Sequence, residues 1–168
     1  MKSVVLIFSA VFAVVLSELT QDQKSCEDSI NSSRVLGAMK DKIANMNEVK
    51  YDEDLEERAE KVKHPCSVGS VDEIKKDEMY STSSSTELPA HVTATKAACV
   101  LTYCDNYKQN KTIYVVDKGP GGEEEGESGS KCAFGESKDV GGLCALSRSG
   151  TQKVSIIVLV MISSVFYL

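Results

Sequence analysis

Two histidines, His64 and His91, and six cysteines are the side chains through which this chain could do chemistry or hold a metal. Acyl transfer needs a Ser or Cys nucleophile within hydrogen-bond reach of an imidazole base. Neither histidine stands in a catalytic sequence motif, so no catalytic residue is assigned and an enzyme is not expected. A zinc site would draw on His64 with Cys66, or on Cys99 with Cys104, as thiolates. Cysteines of a secreted chain are normally oxidised, which argues against it. Both histidines therefore read as solvated surface residues. Glu123, Glu124, Glu125 and Glu127 lie among glycines without the staggered oxygen spacing of a calcium loop, and read as a solvated turn. No metal or cofactor is expected.

The cysteines instead describe a compartment. Cys26, Cys66, Cys99, Cys104, Cys132 and Cys144 form an even set, which in an oxidising compartment implies three disulfides. Fifteen pairings are possible, and spacing does not choose among them. Residues 1–17 read as a secretory signal peptide: Lys2, an apolar run from Val4 to Leu16, and a cut after Ser17 with Val15 two residues before it. A second apolar run, Val154 to Leu168, is 15 residues long and has no Lys or Arg after it. A spanning helix needs about 20 residues. Ser147, Ser149, Gly150 and Thr151 precede the run, with Gln152 and Lys153 as spacer, which together read as a GPI-attachment signal. Ser149 or Ser147 is the expected lipidation residue, and a short apolar membrane tail is the alternative. The expected location is extracellular, tethered to the outer face of the plasma membrane.

Removing Lys2 and Lys153 with the two ends leaves 17 basic against 25 acidic side chains, a net charge near −8. Such a surface disfavours nucleic acid and anionic lipid as partners. The remaining chain, roughly 130 residues, suits one domain with one modest core.

Leu36, Met39, Ile43 and Met46 recur at steps of three and four, which predicts an amphipathic helix from about Ile30 to Asn45. A second helix is expected near Asp52 or Asp54, with Leu55, Ala59 and Val62 as its apolar stripe and Pro65 at its end. Between Cys66 and Leu88 the pattern dissolves into charged and then Ser/Thr-rich sequence (Ser81 to Thr86), read as a flexible, O-glycosylated loop. Ala97–Tyr103 and Thr112–Val116 are β-prone runs flanking the polar turn 105–110, a hairpin. Two N-glycosylation sequons start at Asn110, in that turn, and at Asn31.

In this order the segments resemble the CAP superfamily (cysteine-rich secretory, antigen 5 and pathogenesis-related proteins), particularly its nematode secreted members. Cys26 followed by Asn31-Ser32-Ser33-Arg34 is similar to the family's opening Cys and first-helix His-Asn-x-x-Arg, with Ile30 in place of the His. The run 44–55, continuing to Ala59 and Cys66, resembles the entry to the second helix. Residues 95–104 resemble the Thr-x-x-Ile-Gly-Cys strand. Tyr114-Val115-Val116, Gly119-Pro120-Gly121-Gly122 and Gly142-Leu143-Cys144 resemble the closing strand, its turn and a cysteine-rich extension. The resemblance implies a three-layer α/β/α sandwich, and for some members a cleft of two His and two Glu able to hold a divalent metal. Here Ser70 stands where the first cleft His is expected, only Glu73 matches a cleft Glu, and the second Glu and the His-x-Thr-Gln motif are missing. His91, eight residues before Cys99, is too close to serve as that motif's His. The strand Cys is also absent around Val116-Asp117-Lys118.

The expected fold is thus α+β: a shortened, disulfide-stapled CAP-like sandwich with two N-terminal helices and a small antiparallel sheet. Residues 18–118 would form the degenerate domain, 119–149 a Gly/acidic cysteine-containing extension, and 150–168 the lipid-anchor signal. The expected function is non-enzymatic binding of a protein, or of a lipid or sterol, with the cleft lost. The alternative is a small disulfide-tied inhibitor or signalling ligand built on loops.

Overall fold

The computed structural model describes residues 18–64, 66–67, 71–74, 78–86 and 91–147. The signal peptide, Pro65, Ser70, Ser149 and the closing apolar run lie outside them. The first helix, α1 (Gln21–Asp41), starts well before Ile30 because Thr20 and Gln23 form a capping box: each side chain bonds the other's backbone N–H. Its buried face is also not the expected one. Leu36 and Met39 are 67% and 64% exposed, while Cys26, Ile30, Asn31, Arg34, Gly37 and Ala38 face inward. Lys42, in the left-handed region at φ 54°, ends it.

The chain then runs through β1 (Lys50–Tyr51) into α2 (Glu53–Glu60). Asp52 caps α2 by accepting the Leu55 N–H at 2.8 Å, and Leu55 and Ala59 are buried, as the pattern predicts. The stretch read as a loop holds two strands, β2 (Asp72–Ile74) and β3 (Met79–Thr82). Ser81 and Thr82 are fully buried there, so neither is an O-glycosylation acceptor. The hairpin is β4 (Lys96–Cys104) and β5 (Gln109–Asp117). It extends further than expected, so Asn110 lies in β5 opposite Tyr103 rather than in the turn. The sheet order is β1-β4-β5-β3-β2; it is antiparallel except for β1, which is parallel to β4.

Alternation along the central strands explains why two helices cover one sheet. Ala97 and Cys99, with Tyr114 and Val116 opposite, pack against Cys26 and Ile30 of α1. Ala98 and Val100, with Val115 and Ile113 opposite, pack against Leu55 and Ala59 of α2. The result is an α/β/α sandwich, which rules out a knot of disulfide-tied loops. The disulfides are Cys26–Cys99, Cys66–Cys104 and Cys132–Cys144. Leu143 of the extension joins Ala38, Ile43 and Met46 in a third cluster. Backbone bonds tie Cys144 to Met46 and Glu48, and Lys131 and Glu124 to Ala44.

Where that extension begins, the backbone of Gly119 passes against Thr93. A Cβ built on Gly119 would stand 1.8 Å from the Thr93 carbonyl oxygen, whereas one on Gly122 would meet nothing within 4 Å. Gly119→Ala should therefore lower stability by about 1–3 kcal/mol through forced backbone displacement. Gly122→Ala should be close to neutral, and urea unfolding midpoints of the two variants check the contrast.

Candidate functional site

The side chains with chemical potential do not converge. His64 is 3% exposed, and its Nε2 lies 2.7 Å from the Ala59 carbonyl at the end of α2. Burial lowers its pKa, so it stays neutral beneath the helix. His91 stacks on Tyr80 with ring centroids 3.4 Å apart, and its carbonyl accepts a bond from Arg34. Both imidazoles are parts of the packed structure, not solvated surface residues as their sequence context suggested. All six cysteine sulfurs are in disulfides, so none is a thiolate. Among the described residues no group of three or more His, Cys, Asp or Glu gathers to hold a metal.

Asn31 and Arg34, which matched the family's first-helix motif, act as braces. The Asn31 amide donates to the Val49 carbonyl and accepts the Val49 N–H, each at 2.9 Å. With both amide atoms engaged and 3% exposure, Asn31 has no room for a glycan, which removes it as a glycosylation site. Arg34 is fully buried and donates to the carbonyls of Asn47, His91 and Val92 at 2.9–3.0 Å. Burial lowers its pKa to about 10, with Asp117 opposing, so it remains charged at neutral pH. Asn110 and Ser147 are exposed.

Burial and the neighbouring Arg34 charge push His91 down to about 4, against a smaller opposing effect of Glu73. Its Nε2 is buried with no partner among the described residues. Because the folded pKa lies below the ordinary 6.5, the unfolded chain binds the proton more readily. Stability from this residue is complete above pH 6.5 and is lost as pH falls towards about 4. The ring is only partly buried, which holds the effect to about 1 kcal/mol, well under the full linkage value. Thermal melts of the wild-type protein should fall more steeply across that window than those of His91→Gln. Parallel slopes would show that His91 is not the acid-sensitive group.

Two concavities stand out among the described residues. The smaller, of about 180 Å³, lies between Tyr80, His91, Lys118 and Glu123. Near it Glu73, the one matched cleft acid, is paired with Lys118 at 2.7 Å, so it is already neutralised. The larger, of about 540 Å³, is a groove along β4 between α1 (Asp22, Ser25, Ser29) and α2 (Glu56, Glu60), floored by Cys99–Leu101, Thr112 and Tyr114. Sequence reasoning missed it. The available signals were Glu56 and Glu60 four residues apart, a like-charge pair that costs helix stability, and Asp22, Ser25 and Ser29 at helical spacing.

The layers and the disulfides define a CAP-like fold. Among solved structures the chain is similar to hookworm platelet inhibitor, with a TM-score of 0.51 over 79% of this chain and 94% of that one, at 19% identity. It is also similar to NaASP2 with Zn2+, with a TM-score of 0.46 over 76% of this chain and 97% of that one, at 17% identity. No family model and no curated protein matches the sequence.

Proposed function

We propose that this is a non-enzymatic, extracellular CAP-fold protein that works by binding a partner protein. The observation that carries this reading is the groove along β4. It is large, open and lined by carboxylates, while both imidazoles and all six sulfurs are committed to packing. Its acidic and hydroxyl-bearing walls suit a polar protein surface better than a lipid or sterol, the second ligand class considered. Three disulfides support folding in an oxidising compartment. The name of hookworm platelet inhibitor supports an extracellular binding role by analogy of fold alone. The expected tether is a lipid at Ser149 or Ser147, with a glycan at Asn110.

The test is expression of the full chain in secretory cells, followed by phosphatidylinositol-specific phospholipase C and intact-mass mapping. Release of a glycosylated protein with no free thiol is the expected result, and retention on the cells would refute the lipid tether. The released protein is then titrated against arrayed extracellular proteins and against cholesterol. Saturable binding to a protein supports the proposal; saturable uptake of sterol alone overturns it.

A further inference from the structure

The outer edge of β4 lacks a neighbouring strand beyond β1. Pairing with β1 stops at Lys50↔Lys96 and Tyr51↔Ala97, where the Thr95 and Ala97 carbonyls accept the N–H groups of Lys50 and Asp52. Main-chain groups alternate sides along a strand, so those of Cys99, Leu101 and Tyr103 point to the same outer edge. The Tyr51 hydroxyl meets the Cys99 backbone. Among the described residues, the main-chain groups of Leu101 and Tyr103 meet no partner on that side. Their side chains are 71% and 59% exposed. Natural sheets guard such edges with lysines or cover them. At Leu101 this edge instead opens into the groove, whose lining includes three carboxylates and no Lys or Arg.

We propose that the β4 edge over residues 101–103, beyond the point where Tyr51 covers Cys99, takes an extended, Lys- or Arg-bearing segment of a partner protein as an added strand. The backbone ladder supplies the register, and Asp22, Glu56 and Glu60 attract the segment's basic side chains. This rests on the partner-binding reading above and specifies its site. Charge complementarity singles out a basic partner strand. A second copy of this chain would bring two sets of the three carboxylates together across one new strand pair, which like-charge repulsion opposes.

The test uses the intact secreted protein and three labelled hexapeptides, KVKVKV, EVEVEV and KVKVKV with alternate backbone nitrogens methylated, read by fluorescence anisotropy at low salt. KVKVKV should bind saturably, with the other two at least about tenfold weaker. The double variant Asp22→Asn/Glu60→Gln should weaken KVKVKV about five- to tenfold while the protein stays cooperatively folded. Amide shifts on titration should centre on Leu101–Tyr103. Equal binding of the methylated peptide would reduce the site to bulk electrostatics and overturn the proposal. Shifts centred elsewhere, or a dimer whose formation blocks the peptide, would overturn it too. A saturable partner protein indifferent to the double variant would refute this edge and leave the binding function standing. Absence of any saturable protein partner would refute that function, while the peptide titration still decides the edge.

Discussion

Replacing Arg34 by methionine is expected to destabilise the fold by about 3–5 kcal/mol, read as a lowered urea midpoint with an unchanged slope. Methionine nearly preserves the length and apolar stem, so the loss comes from the guanidinium. Its nitrogens serve three carbonyls on two separate chain segments, 13 to 58 residues away. Each buried carbonyl left without a donor costs about 1–3 kcal/mol. Relief from burying a charge offsets part of this, since among the described residues Asp117 is the acid that acts on Arg34 and no carboxylate bonds it directly. Arg34→Lys should recover only part of the loss, because one ammonium cannot reproduce a planar fork aimed at three acceptors. The variants also carry an internal check. Arg34 lowers the pKa of His91, so Arg34→Met should raise it and flatten the acid-dependent loss of stability. A methionine variant within 1 kcal/mol of wild type would mean that water replaces the guanidinium, and the brace would not be a determinant of the fold.

That brace also explains which parts of the molecule could be read from the sequence. Helix α2 was legible because its determinants are local: Asp52 caps it, and Leu55 and Ala59 stand four apart. The hairpin was legible for the same reason. Helix α1 was legible as a helix, but its inward face was not. Apolar spacing pointed to Leu36 and Met39, whereas the structure buries Asn31 and Arg34. Those polar residues can be inside only because carbonyls from distant segments arrive to meet them, which no local pattern encodes. Its start at the Thr20–Gln23 box was in the sequence, unread. Strands β2 and β3 escaped because Ser81 and Thr82 look like loop residues, yet pair with Val115 and Tyr114. The groove assembles Asp22, Glu60 and Leu101 from three elements, so only the folded chain could show it.

Removing the Cys26–Cys99 disulfide as the double alanine variant is expected to cost about 4 kcal/mol, most of a marginal domain's stability. The bridge closes the widest loop of the three: the sequence separations are 73, 38 and 12 residues for Cys26–Cys99, Cys66–Cys104 and Cys132–Cys144. Chain-entropy scaling gives about 3 kcal/mol for the last, so thermal melts of the three double variants should order by separation. Alanine is the proper replacement because Cys26 packs with Ile30 and Ala97, where a serine hydroxyl would need a new partner. The disulfide also joins the N-terminal third of α1 to β4 inside the groove, with both cysteines lining it. It therefore fixes how far the Asp22–Ser29 wall stands from the free edge at Leu101. Below the melting transition, the double alanine variant should bind KVKVKV about tenfold more weakly than wild type, because the wall and the edge must be ordered on binding instead of beforehand. The Cys132→Ala/Cys144→Ala variant supplies the control, since its bridge lies in the extension and touches neither wall. If both double variants lost binding equally, general loosening of the fold would be the cause and the Cys26–Cys99 bridge would have no separate role in shaping the groove.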